Sequence, residues 1–444
     1  MSSEQGGTHK RENWGSRIGY ILSFLGMAIG LGAMWRFPMV AAQNGGGAFV
    51  LAFFLICIVM IPTGFGEIGL GRWARDGAAG AFEKVSGTKA VRPLGYIMAA
   101  IPYLLNVYYV IIVGTVFVYL FYTVTGAPFL DDTEAFYKQV EANRPLAYGM
   151  AVLIMALGGI VCAGGIKGGI EKICKILLPA LFVILCVVVV RVCTLPGISA
   201  GIEFYVHPDF STWLKPSLWV AAAGMALFAV GIGPGYLLTF GSYLSEKADI
   251  ATDFVTINFI QLLICVLAGF ATLPAVILFG INPQAGTGLV FMVLPRVFEQ
   301  IPGGMIWFFM FLLALLFAGF STVIGIFEVP LTTIVDGLKM DRKKACIWIA
   351  VTSMILMIPC VWNEGFLLIL DYIVANVLYV LAALGMAFYL SWVRPGAKRV
   401  RDEWVNPSSV YKYGSWVDFF YKYINALALA YFAYSALVGL PGIF

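Results

Sequence analysis

Apolar runs of about twenty residues, each the length of a bilayer-crossing helix, recur from one end of the chain to the other, separated by short polar connections. Read as helices, they give eleven spans at about 16–42, 47–74, 95–124, 146–163, 169–193, 216–245, 250–280, 304–337, 344–361, 364–394 and 416–440. The longest polar connections, about 125–145, 194–215 and 281–303, are too short for a soluble domain. The pattern predicts one all-α, polytopic membrane domain.

Two of the runs are broken by glycine. The first carries Gly30-Leu31-Gly32, followed by Arg36-Phe37-Pro38, and the sixth carries Gly231-Ile232-Gly233-Pro234-Gly235. A helix facing lipid cannot leave N–H or C=O groups unpaired, because each costs several kcal/mol in hydrocarbon, so a break at that depth faces a cavity or a ligand. Breaks in corresponding halves of a chain point to a transport site near the bilayer midplane. The division is then residues 1–193 (spans one to five) against 216–394 (spans six to ten), with 416–440 as an accessory span. Five spans is an odd number, so the second half enters from the opposite face and the repeat is inverted.

Composition agrees: 61% of residues are hydrophobic and 12% charged, more apolar surface than one soluble core hides. A net charge of +4 without a basic tract excludes nucleic acid as a partner and leaves the lipid bilayer. Lys and Arg collect on one side, as in Arg72, Arg75, Lys84, Lys89 and Arg92, Lys339 to Lys344, and Arg394 to Arg401, while the opposite loops carry Asp131, Asp132, Glu134 and Glu141. The positive-inside rule predicts a cytoplasmic N-terminus and an extracytoplasmic C-terminus in the plasma membrane. The polar start, Met1 to Asn13, has no cleavable signal, and no room for a twelfth span follows Phe444. The eight cysteines lack metal-site spacing and read as reduced packing residues. His9 and His207 lie outside the spans, and no nucleophile–base constellation accompanies them, so the chain reads as no enzyme.

The breaks carry chemistry of their own. The half-helix starting near Leu31 would aim free N–H groups and a positive dipole end at a carboxylate. Tyr109 would donate a further hydrogen bond or serve as a core tyrosine. Ala318, Ser321 and Thr322, spaced i, i+3, i+4, share one face of span eight, where their oxygens would meet a cation or bond back to their own helix.

Arg11-Glu12-Asn13-Trp14, Arg17, Gly26 to Gly32, Arg36-Phe37-Pro38, Asn44 to Phe49, Tyr108-Tyr109, Gly241-Ser242-Tyr243, Ala318 to Thr322 and Asp371 together resemble the neurotransmitter:sodium symporter family, most of all its bacterial amino-acid symporters with the leucine-transporter fold. The resemblance implies sodium-coupled uptake of an amino acid by alternating access. It implies a substrate site at Met27, Ala28, Gly30, Leu31, Gly32, Leu105, Tyr109, Phe228, Ala229, Gly231, Pro234, Thr322 and Ile326, with carbonyls around Ala28, Phe228, Ala229 and Gly231 facing the ammonium group. Monoamine-carrying members have aspartate where this chain has Gly30, so a ligand that brings its own carboxylate is expected, with a hydrophobic side chain to suit the apolar lining.

The family's second sodium site falls on Gly26, Ile29, Ala318, Ser321 and Thr322. Its first site takes side-chain oxygens from positions held here by Ala33, Ala229 and Gln261, so two of them are missing, and its chloride-site positions are Met225, Ala229, Gln261 and Cys265, none charged. Methyl groups cannot solvate an ion, so one sodium and no chloride are expected. The gates implied are Arg36 with Asp371 and the Phe228 ring outside, and Arg11 and Trp14 with Ser242, Tyr243 and Asp336 inside. Gly169 and Pro179 match a spacing the family uses to unwind span five. Buried Glu67 and Glu328 are expected to be hydrogen-bonded to broken backbone; as proton carriers they would instead support proton-linked transport. Sodium-independent transport of another small carboxylate or amine, and substrate sensing without transport, remain as alternatives.

Overall fold

The computed structural model describes residues 11–126, 128–280 and 289–439. Among them, nine helices are long and apolar enough to cross a membrane: Arg17–Gln43, Gly47–Ala74, Lys89–Thr125, Arg144–Ala163, Ile166–Cys193, Ile250–Leu278, Gly304–Leu338, Arg342–Trp362 and Glu364–Val393. These are spans one to five and seven to ten. Span six is split into Pro216–Val230 and Tyr236–Gly241. The eleventh runs as Trp416–Phe419, a π turn Phe420–Ile424, and Asn425–Gly439. Met1 to Lys10, with His9, and part of the 281–303 connection lie outside the described residues.

Side chains that satisfy first-turn N–H groups fix several span starts. Ser16 accepts from the Gly19 N–H at 3.0 Å, Asp249 from Thr252 at 3.0 Å, Asp341 from Lys343 at 3.1 Å, and Asn363 from Phe366 at 3.0 Å. Span eight packs against spans one, three and five, and span two against both pieces of span six. In lipid this packing depends on close backbone approach, for which small residues are used. A Cβ on Gly71 would fall 2.0 Å from the Leu238 carbonyl oxygen, and one on Gly241 would fall 2.6 Å from that of Ile68, so span two and the inner piece of span six touch backbone to backbone.

The two breaks differ in width. In span one a single residue, Gly30 (φ 43, ψ −172), leaves the helix, and a π turn Gly32–Arg36 follows; the three-residue break expected from the sequence is narrower. In span six Gly231, Gly233 and Gly235 all have positive φ, and five residues separate the two pieces. Glu67, fully buried on span two, holds that linker: its carboxylate accepts the Gly233 N–H at 2.9 Å. Glu328 departs from the expectation, because its carboxylate pairs with Arg342 at 2.6 and 3.0 Å and not with broken backbone. Gly169 also has a packing reason: a Cβ there would meet the Val161 carbonyl oxygen at 1.9 Å, and the segment around it is a wound π turn, Ile166–Glu171, leading into a continuous helix that contains Pro179.

Glu67→Ala would strand the Gly233 N–H in an apolar interior, at a cost of about 1–3 kcal/mol, whereas Glu67→Gln keeps an acceptor. Thermal denaturation of the detergent-purified variants should place Glu67→Ala below Glu67→Gln; equal melting would contradict the anchor.

Candidate functional site

Span eight presents Ser321 and Thr322 to the segment of span one just before its break. The Thr322 hydroxyl lies 2.8 Å from the Gly26 carbonyl oxygen and 3.2 Å from that of Met27; the Ser321 hydroxyl lies 3.0 Å from those of Gly26 and Ala318. Five oxygens therefore converge, and only the two hydroxyls carry a proton. Each hydroxyl also has lone pairs, so acceptors outnumber donors in a buried cluster, the donor set a hard cation takes. Of the residues anticipated for a cation, Gly26, Ala318, Ser321 and Thr322 come together. The Ile29 carbonyl instead receives the Gly32 N–H, and the Met27 carbonyl joins the cluster in its stead.

Across the break, the Leu31 N–H donates to the Tyr109 hydroxyl at 2.9 Å, which leaves the phenolic proton to be donated elsewhere. A Cβ on Gly30 would sit 3.0 Å from the Thr322 hydroxyl and 3.1 Å from that of Tyr109. The space at Gly30 is thus filled by this chain's own hydroxyls and not left for a ligand; the open position is Gly32, which is exposed and would have nothing within 4 Å of a Cβ. Ala28 and Phe228 are half-buried, with the Phe228 ring 4.5 Å from that of Tyr379. Met27 packs against the backbone of Gly325 and lies near Gly231. Leu105, Ala229, Pro234 and Ile326 are buried, on span three, the outer piece of span six, its linker and span eight.

On the side of the inner piece of span six, the Arg11 guanidinium binds both Asp336 and Ser242 and lies 4.5 Å over the Tyr243 ring. Asp336 also accepts the Gly77 N–H at 2.7 Å. Trp14 donates its backbone N–H to the Tyr243 carbonyl at 3.2 Å and its indole N–H to that of Phe240 at 3.0 Å. The Tyr243 hydroxyl continues the network to Glu328 and Thr332, both at 2.6 Å. Every anticipated inner-gate residue is present; Arg342, read from the sequence as one of several basic residues after span eight, was missed as the partner of Glu328.

The outer pair is different. Among the described residues no ion pair joins Arg36 to Asp371. The exposed Arg36 guanidinium rests 5.6 Å above the Phe228 ring, a cation–π contact, while Asp371 faces Tyr108. Arg11 and Asp336 are thus in contact, whereas Arg36 and Asp371 each have another partner.

The remaining ion-site positions are apolar: Ala33, Met225, Ala229 and Cys265 are buried and carry no ligating oxygen in their side chains. Gln261 turns its amide nitrogen to the Ala28 carbonyl at 3.3 Å, a contact with no sequence signal beyond the polarity of one residue in an apolar span.

Residues 11–139 and 133–441 match the family model described as the sodium:neurotransmitter symporter family. The chain is 33% identical to an uncharacterized sodium-dependent transporter of Haemophilus influenzae, covering 94% of this chain and 95% of the relative. It is 33% identical to another uncharacterized sodium-dependent transporter, from Bacillus subtilis, covering 86% and 88%. Among solved structures it resembles MhsT in complex with L-phenylalanine, at 30% identity and a TM-score of 0.86, covering 96% of this chain and all of that one.

Arg11→Ala removes the group that ties Asp336, Ser242 and Tyr243 together. Hydrogen exchange of the segment 236–241 should accelerate in this variant while exchange in span two is unchanged; equal protection in variant and parent would contradict the clamp.

Proposed function

The chain belongs to the sodium:neurotransmitter symporter family, and from that premise we propose that it imports a hydrophobic, zwitterionic amino acid with one sodium ion and without chloride. It is a polytopic, all-α membrane protein of the leucine-transporter fold and a sodium-coupled symporter, not an enzyme. The observation that carries the finer reading is the convergence of the Ser321 and Thr322 hydroxyls on the Gly26 carbonyl.

Sodium would bind among Gly26, Met27, Ala318, Ser321 and Thr322, with Ile29 as a further ligand if its carbonyl turns inward. The ion would bridge the first and eighth spans, and by binding the outward-facing state more tightly it would favour that state. Tyr109, with the backbone of Leu31 and Gly32, would receive the substrate carboxylate, and the carbonyls of Ala28, Phe228, Ala229 and Gly231 its ammonium group. Met27, Leu105, Phe228, Pro234 and Ile326 would line the side-chain pocket, and Gly30 admits no charged side chain to substitute for a ligand carboxylate. The complex of MhsT with L-phenylalanine supports an aromatic amino acid as the first probe. The apolar environment of Met225, Ala229 and Cys265 supports the absence of chloride.

Residues 1–193 and 216–394 would act as inverted repeats with span eleven as an accessory, the N-terminus in the cytoplasm and the C-terminus outside. Arg11, Trp14, Ser242, Tyr243 and Asp336 close the inner mouth; Arg36, Asp371 and Phe228 would close the outer one once substrate is bound. Glu328, paired with Arg342, and Glu67, accepting the Gly233 N–H, each have a fixed partner, which favours a structural role over proton carriage.

Uptake of L-phenylalanine and L-leucine into proteoliposomes should require an inward sodium gradient. Ser321→Ala and Thr322→Val, tested singly, should each raise the half-saturating sodium concentration about tenfold or more, in keeping with the loss of a charge-assisted contact. Uptake driven by a pH gradient without sodium, unchanged sodium dependence in both variants, or binding without flux would contradict the proposal.

A further inference from the structure

The Gln261 side chain, on span seven and 2% exposed, meets span one at its break. The Ala28 carbonyl can only accept, so the amide nitrogen is the atom that faces it, at 3.3 Å, and this fixes the orientation of the amide. The amide oxygen is thereby turned away from Ala28, and it is buried without a hydrogen-bond partner. An orphaned amide oxygen in an apolar interior is unfavourable, so its presence beside a break in the transport pathway points to a partner that arrives with the ligand. The other two positions matching the family's first sodium site offer no side-chain partner: Ala33 and Ala229, 5% and 9% exposed, carry only methyl groups.

We propose that the Gln261 amide is a substrate-binding group standing where a cation would otherwise be needed. One N–H holds the Ala28 carbonyl, the second N–H meets the substrate carboxylate, and the free oxygen accepts an N–H from the substrate ammonium group. A primary amide is a neutral complement of a zwitterion: it donates to the anion, accepts from the cation, and adds no net charge to a site that has no second ion. It also answers what faces the carboxylate where Ala33 and Ala229 give no ligand. The inference rests on the zwitterionic amino acid proposed above as cargo.

The test compares three probes on the purified full-length protein in saturating sodium: the amino acid taken up best and its decarboxylated and deaminated analogues, which for L-phenylalanine are phenethylamine and 3-phenylpropionate. Gln261→Met keeps the side-chain volume and removes both polar atoms. It should weaken amino-acid binding about 10- to 100-fold, the loss expected for hydrogen bonds to charged groups, and should weaken each analogue less, so that the preference for the zwitterion narrows. Gln261→Glu keeps an oxygen acceptor and loses the donor. It should penalise the amino acid and 3-phenylpropionate more than phenethylamine, and it guards against misfolding of the first variant. Unchanged affinity and preference in Gln261→Met, or equal losses for all three probes in both variants, would overturn the assignment. If the parent itself binds phenethylamine as tightly as L-phenylalanine, the zwitterion reading falls, whatever the variants do.

Discussion

A helix that stops hydrogen-bonding to itself inside a membrane leaves carbonyls with no water to turn to, and the Gly26 carbonyl is where this structure resolves that problem most fully. Two hydroxyls from span eight lie within 3.0 Å of it, and the neighbouring carbonyls of Met27 and Ala318 join the same cluster. The cluster has more lone pairs than protons, and a hard cation would complete it. The other break is met from span two, where Glu67 receives the Gly233 N–H. Each break is thus fixed by a helix from elsewhere in the chain, and movement of either helix would be felt at the proposed substrate site.

Span eight connects this cluster to the network around Arg11 and Tyr243. Past Ser321 and Thr322 it carries Glu328, Thr332 and Asp336, at successive i+4 steps on one face, and all three take part in the network around Tyr243 and Arg11. A cation that draws span one onto span eight would therefore bear on the helix that carries the partners of Arg11 and Tyr243. At the other end of the site Arg36 lies on the Phe228 ring instead of on Asp371. If these residues gate as proposed, this is the arrangement open to an ion and a substrate from outside.

The spans, both breaks and most of the cation cluster were legible in the sequence because each leaves a local mark: apolar length, glycine inside an apolar run, hydroxyls at helical spacing. The inner gate was legible only through family resemblance, since Arg11 and Asp336 lie 325 residues apart. What escaped depended on side-chain direction. Glu328 looked like Glu67, a lone carboxylate in a span, yet Arg342 at the start of the next helix reaches it. Nothing local marks the crowding at Gly30, where Tyr109 and Thr322 approach from two other helices. The Met27 carbonyl replaced that of Ile29 because the π turn after Gly30 turns the Gly32 N–H back onto Ile29. Gln261 read as the remnant of a lost ion site, and only the coordinates show its nitrogen on Ala28 and its oxygen unpartnered.

The most direct test of the central claim is to count sodium ions with the substrate, by equilibrium binding of radioactive sodium and radioactive amino acid to the same purified preparation. One sodium bound per amino acid, with Ser321→Ala weakening that sodium about tenfold or more, is the predicted result. Two sodium ions per amino acid, or a single sodium indifferent to Ser321→Ala, would contradict it.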